Sequence, residues 1–365
     1  MYKVKVFGAG SIGNHLSNAS RSLGWSVDLC DIDPAALART RDQIYPARYG
    51  KWDEAIRLFE SKDAPTGGYD LIFVGTPPDS HLALAVAAVR ERPKAILVEK
   101  PFCTPDLDGA QALVETAREH GVAIFTGYDH VVGKASEEFG RAVAAGALGP
   151  IETLDVEFRE YWGGIFAAHP WLNGPADTYL GFWRRGGGAS GEHSHAANLW
   201  QHFAHALGAG RIIEVAAMMD FVDDGQVNYD KLCVLQVRTE SGLVGRIVQD
   251  VVTSPPRKWA RAQGRDGYAE WHCAFKPGVD AVLRGNGKGQ NDEKLFEKTR
   301  PADFIQELQH IAASLAGDPA ASPISGTRGL DTMLVVAAAH KSVNERRTVA
   351  IDYTAGYTPA SLKTL

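Results

Sequence analysis

The chain changes its hydrophobic rhythm once. Over the first third, short apolar runs recur between amphipathic stretches: KVKVF around Val4, Val6 and Phe7, then VDLC, LIFV at Leu71–Val74, KAILV before Glu99, and VAIFT before Tyr128. Buried apolar runs alternating with helical segments predict βαβ units and a parallel, doubly wound sheet. From about Tyr128 the rhythm becomes apolar–polar alternation, in IETLDVEFREY, in DKLCVLQVRTE turning at Ser241-Gly242 into LVGRIVQDVV, and in GYAEWHCAF and VDAVLR. Period two predicts antiparallel hairpins with helices on one face. At 365 residues the chain exceeds what one core usually supports. The expected fold is α/β in two domains: 1–127 around the parallel sheet, and 128–365 as an α+β domain with a large open antiparallel sheet.

The first apolar run leads into a glycine turn. Gly8, Gly10 and Gly13 match G-x-G-x-x-G, directly after a strand and opening a helix. In that setting Gly8 permits the tight turn, Gly10 lets backbone approach a pyrophosphate, and Gly13 lets helix and strand pack closely. The turn, including Ser11 and Ile12, is the expected phosphate cradle of a Rossmann dinucleotide site. Asp31 closes the second strand and is the candidate for the ribose hydroxyls. Asp33 precedes Pro34 and reads as a helix N-cap. A carboxylate at Asp31 repels a 2′-phosphate, so NAD is expected over NADP. Thr76, Pro77, Lys100, Tyr128 and His130 fall at or just past later strand ends, where ligands bind in such sheets.

Charge and composition narrow the partners. A net charge of −6 without a basic stripe excludes nucleic acid and anionic membrane surfaces as expected partners. Four scattered cysteines and no secretory signal or membrane span lead to the expectation of a soluble, cytoplasmic protein.

The ordered set of the glycine turn, Thr76-Pro77 with His81, and Glu99-Lys100-Pro101 resembles the glucose–fructose oxidoreductase / inositol dehydrogenase (Gfo/Idh/MocA) family. The stretch GGGASGEHSHAANL extends the match, since one branch carries a glycine run followed by E-x-S-H-x-x-[DN]-L. The resemblance implies that Lys100 and His195 are the catalytic pair, with Glu192 as the acidic member and Asn198 where many members have aspartate. It adds His81 and Glu99 to the expected cofactor site. It also implies a sugar, sugar derivative or cyclitol as substrate, and a homodimer or homotetramer built through the C-terminal sheet. Many members space acid and histidine as D-x-x-x-H, whereas Glu192 and His195 are three apart.

Read from the residues, GEHSHAANLWQHFAHALG predicts one helix from about Gly191 to Leu207, with His195 in its first turn. There the helix dipole favours a neutral imidazole, as a general base requires. A metal set of Glu192, His193, His195, His202 and His205 is disfavoured, because these side chains do not share one face. No metal is expected. Between strand and helix lies an aromatic-rich segment whose Trp162 and Trp183 could stack on a sugar ring, or equally pack an interface or fix the loop. Arg184 and Arg185 read mainly as solvated or salt-bridged, with contact to a substrate anion as the alternative. His130, Trp162, Trp183, Arg184 and Asn198 join Lys100 and His195 as candidate substrate residues. The expected activity is hydride transfer between NAD and a carbohydrate-like hydroxyl carbon. The alternatives are glycoside cleavage with recycled NAD and a non-catalytic NAD-binding regulator.

Overall fold

The computed structural model describes residues 1–169, 171–286, 288 and 291–365. Six strands form the first sheet: β1 (Lys3–Phe7), β2 (Ser26–Asp31), β3 (Ile56–Glu60), β4 (Leu71–Val74), β5 (Ala95–Val98) and β6 (Ala123–Thr126). They lie in the order β3-β2-β1-β4-β5-β6, every pair parallel. Strand β3, IRLFE, is one the apolar runs do not predict. The strand order reverses between β1 and β4, and the carboxyl ends of β1, β2, β4, β5 and β6 carry the expected site segments.

Ten strands form the second sheet: β7 (Ile151–Arg159), β8 (Ile212–Asp223), β9 (Asn228–Thr239), β10 (Val244–Asp250), β11 (Arg257–Gly264), β12 (Tyr268–Lys276), β13 (Val279–Gly285), β14 (Asn291–Glu297), β15 (Val349–Ile351) and β16 (Leu362–Thr364). Their order is β14-β13-β12-β11-β7-β10-β9-β8-β15-β16. All pairs are antiparallel except β7 with β10, which run parallel. Helices Lys134–Ala144, His195–Ala206 and Gly326–Glu345 pack on one face. Trp200 anchors that contact, fully buried with its indole N–H donating to the Leu154 carbonyl at 2.8 Å. The opposite face carries exposed Met218 and cross-strand ion pairs such as Arg261 with Glu270.

The single helix expected from Gly191 to Leu207 is broken in two. A short helix, Gly188–Glu192, ends before His193, and a second begins at His195. The break follows from a close approach: a Cβ on Gly191 would lie 2.1 Å from the Gly186 carbonyl oxygen, so the short helix folds back onto the glycine run. His195 therefore sits at the first position of the second helix.

Two C-terminal helices return to the first sheet. Helix Arg300–Ala316 packs on Ser11–Ser22, with Phe304 stacked on His15 at 4.7 Å. Ser325, preceding helix Gly326–Glu345, pairs with Phe125 of β6. One continuous apolar core thus spans both sheets, and the crevice between them has rigid walls. Among the described residues, no helix is long and apolar enough to cross a membrane.

Candidate functional site

The glycine turn is shaped by close approaches. Gly8 has φ +98°, and a Cβ there would lie 2.7 Å from the Gly75 carbonyl oxygen. A Cβ on Gly13 would lie 1.7 Å from the Gly8 oxygen. On Gly10 it would meet nothing within 4 Å, so that side of the turn can admit a pyrophosphate. Asp31 braces the turn from β2, accepting from the Ala9 amide at 2.7 Å and the Asp33 amide at 2.9 Å. Asp33 caps helix Pro34–Arg39 by accepting from the Ala35 amide, as its place before Pro34 predicts. These residues fit a dinucleotide. Arg48, which sequence reasoning missed, donates to the Ser11 carbonyl and hydroxyl at 3.0 and 2.8 Å and so fixes the start of the helix.

Thr76 and Pro77 line the same crevice from the end of β4, beside Ser11 and Ile12. His81 is fully buried behind them, facing the Thr76 carbonyl at 2.7 Å and the Pro101 carbonyl at 3.0 Å. Burial depresses its pKa although the carbonyls favour protonation. It ties the loop after β4 to the loop after β5 and does not itself line the crevice.

Lys100 emerges from β5 into a cavity of about 480 Å³ that also holds Glu192, His193, His195, Asp129, His130 and Lys258. Its ammonium donates to the Glu192 carbonyl at 3.0 Å and pairs with the Glu192 carboxylate at 3.1 Å. Burial resists ionisation of Glu192, but the charge and hydrogen bond of Lys100 oppose it, and the carboxyl is held below its ordinary range. Glu99 accepts from the Lys100 amide at 3.2 Å. A second cavity, of about 290 Å³, shares Lys100, Glu99, Glu192, Ser11 and Ile12 with the first, so the glycine turn and the polar cluster border one space.

The His195 ring packs against Tyr128, His130 and Phe158, with centroids at 5.5, 4.8 and 5.7 Å. Burial, then the neighbouring His130 and Lys100, push its pKa well below the ordinary value, so the imidazole is neutral at physiological pH. Its Nδ1 lies 4.0 Å from Oδ1 of Asp129. His193, named from sequence only in a disfavoured metal set, also lines the cavity, with its pKa lowered by burial to about 4. Lys258 pairs with Glu160 at 2.7 Å on the cavity wall. Among the described residues one group has metal-ligand atoms within 4.8 Å of one another: Asp129, His130 and His195.

The structure brings Lys100, Glu192, His195 and His130 together and places four other candidates elsewhere. Trp162 is buried with Leu180, Ala189 and Val251. Asn198 is buried, donating to the Thr332 hydroxyl at 3.1 Å. Trp183 stacks on His340 at 4.3 Å and Arg184 lies over the Trp183 ring at 4.3 Å, both lining a separate cavity of about 540 Å³. Beside them the glycine run is tightly packed: a Cβ on Gly187 would lie 2.2 Å from the Tyr179 and 2.5 Å from the Leu180 carbonyl oxygen. Arg185 pairs with Asp79 at 2.7 Å.

Residues 2–128 match the model of the Gfo/Idh/MocA oxidoreductase family, NAD-binding Rossmann fold. No curated protein matches the chain by sequence. Among solved structures, an oxidoreductase from Agrobacterium radiobacter in complex with NAD+, L-tartaric acid and magnesium is 19% identical, with a TM-score of 0.75 over 96% of this chain and 98% of that one. Levoglucosan dehydrogenase in complex with NADH and levoglucosan is 16% identical, with a TM-score of 0.77 over 96% and 98%. Aldose-aldose oxidoreductase from Caulobacter crescentus, complexed with glycerol, is 19% identical, with a TM-score of 0.74 over 96% and 99%. This similarity is one of fold, and it extends through both sheets.

Proposed function

We propose, from the match of residues 2–128 to the NAD-binding Rossmann fold of the Gfo/Idh/MocA oxidoreductase family, that the protein is an NAD-dependent dehydrogenase of a sugar, sugar derivative or cyclitol. The observation that carries this reading is the convergence of Lys100 and His195, from opposite sides of the crevice, on one cavity bordering the glycine turn. Structural neighbours crystallised with levoglucosan or glycerol support a polyhydroxylated substrate.

When bound, NAD supplies the hydride acceptor. The chain's own groups manage the oxygen and its proton. Lys100, held by Glu192, donates a hydrogen bond to the substrate hydroxyl oxygen and stabilises the negative charge that develops there. His195, neutral at working pH, accepts the hydroxyl proton. In the reverse direction the same ring returns it. His130 on the adjacent wall contacts substrate, and Asp31, Thr76, Pro77 and the glycine turn hold the cofactor. His81 and Glu99 position the loops that carry Thr76 and Lys100.

In this reading 1–127 is the cofactor domain and 128–365 the substrate and assembly domain. The open sheet face with exposed Met218 joins copies into a homodimer or homotetramer. Four free cysteines, three of them buried, suit a reducing cytoplasm.

The test is a screen of polyols, aldoses, uronic acids and nucleotide sugars with NAD and NADP, following the reduced cofactor. Substrate-dependent reduction of NAD supports the proposal. Aglycone release without net cofactor reduction indicates recycled-NAD cleavage instead. Tight NAD binding without turnover across the panel indicates a regulator.

A further inference from the structure

His195 has a hydrogen-bonding problem that its own helix does not solve. Its Nδ1 is buried, with no hydrogen-bond partner among the described residues. A histidine acting as base needs that nitrogen occupied, because the partner of Nδ1 fixes the tautomer and leaves Nε2 free to accept a proton. The acid three residues earlier, Glu192, is committed to Lys100. Four residues earlier stands Gly191, where a Cβ would lie 2.1 Å from the Gly186 oxygen, so that position has no room for a side chain. The orienting group must come from elsewhere in the fold.

Asp129, just beyond β6 on the other side of the crevice, presents Oδ1 4.0 Å from His195 Nδ1. Both side chains are nearly buried, at 12% exposure for His195 and 11% for Asp129. The two are 66 positions apart, on separate elements. Gaps of this size between catalytic partners commonly close when ligand binds. We propose that Asp129 is the positioning residue of the site, accepting the Nδ1–H of His195 and holding Nε2 towards the substrate hydroxyl.

The inference rests on the reading of His195 as proton acceptor. In the step itself the substrate O–H bond breaks and an Nε2–H bond forms, while Asp129 keeps its hydrogen bond to Nδ1–H and transfers nothing. The imidazolium is disfavoured by burial and by the cations that face it, Lys100 after β5 and Lys258 on β11, together with His130. Tyr128 and Phe158 complete its walls as rings. Asp129 opposes those cations, and around it lie Lys298 and Glu307, the latter on helix Arg300–Ala316.

The experiment uses the full chain with NAD, in wild type, Asp129→Asn and Asp129→Glu, labelled with 15N-histidine. Proton–nitrogen correlation spectra, with the His195 signals identified by their loss in His195→Gln, report which ring nitrogen carries the proton. The expected result is Nδ1–H in wild type, redistribution towards Nε2–H in Asp129→Asn, and recovery in Asp129→Glu. NAD affinity should be unchanged in all three. Turnover should fall on the order of 10²–10⁴-fold in Asp129→Asn, with its acidic limb moved to lower pH. An unchanged tautomer in Asp129→Asn overturns the proposal. The spectra need no substrate: a tautomer that responds to Asp129 in a protein without dehydrogenase activity sinks the functional reading and leaves the pairing standing.

Discussion

The Lys100 ammonium is held twice by one residue, at 3.0 Å by the Glu192 carbonyl and at 3.1 Å by its carboxylate. This clamp joins the end of β5 to the last residue of the short helix Gly188–Glu192, and so fixes where the Lys100 ammonium sits in the crevice. Glu192→Gln keeps the shape and removes the charge. We expect turnover to fall at least about tenfold, with a loss of roughly 1–3 kcal/mol in unfolding free energy as a nearly buried charge loses its counter-ion. Wild-type turnover in this variant would show the carboxylate to be dispensable.

Truncating either member of the acid–base pair should separate chemistry from binding. Lys100→Ala and His195→Ala are each expected to lower turnover at least about a hundredfold while NAD affinity stays near wild type. Steady-state kinetics with cofactor titration by fluorescence measure both quantities. A variant that loses affinity and turnover in parallel would move its residue from the reaction to the cofactor site.

The depressed pKa of His195 has a definite consequence for pH dependence. The neutral ring is the active base, so oxidation should persist as pH falls through the ordinary histidine range and be lost only well below it. The acidic limb of kcat/KM measures this directly. A limb centred near the unperturbed value of about 6.5 would contradict the buried, cation-flanked environment.

Stability carries a related signature. Burial lowers the pKa of His193 and His202 to about 4 and that of His340 to about 3. Each stays neutral in the fold while its unfolded counterpart takes up a proton below about 6.5, so each makes stability fall as pH drops towards its folded pKa. The slope is about 1.4 kcal/mol per pH unit for each proton. Buried acids such as Asp230, pushed up to about 7, act in the opposite sense, so the informative quantity is a difference between proteins. His340→Phe should flatten the acid limb of unfolding free energy by roughly one proton's slope relative to wild type. Parallel curves would place His340 in solvent-like surroundings.

The glycine turn gives a contrast between fold and cofactor. Gly13→Ala puts a methyl 1.7 Å from the Gly8 oxygen and should destabilise the first domain outright. Gly10→Ala meets no protein atom within 4 Å, so thermal stability should stay near wild type while NAD affinity falls. Equal thermal losses in both variants would contradict the assignment of that open side to a pyrophosphate.

Most of the first domain was legible because its strands are buried on both faces and its turn needs glycine at fixed intervals. What stayed hidden has physical reasons. Strand β11, RKWARAQG, carries Arg257, Lys258 and Arg261, whose charges meet Glu157, Glu160 and Glu270 across the sheet and obscure the alternation. Strand β8, IIEVAAMMDFVD, is too continuously apolar to show a period of two. Lys100, Glu192 and His195 are candidates from sequence because short local motifs carry them, and the structure places all three on one cavity. Asp129 and Lys258 are not candidates from sequence, since only the packing of β6 and β11 around the crevice brings them to His195. Trp183 and Arg184 adjoin the glycine run in sequence, yet both line a separate cavity, a placement that only the packed chain reveals.

The central claim is that one amine and one imidazole share a single substrate oxygen. A crystal structure with NAD and a bound polyol tests it most directly. The account predicts Lys100 Nζ and His195 Nε2 both within about 3.2 Å of the same hydroxyl oxygen. A polyol whose nearest hydroxyl meets only one of them, or neither, would contradict it.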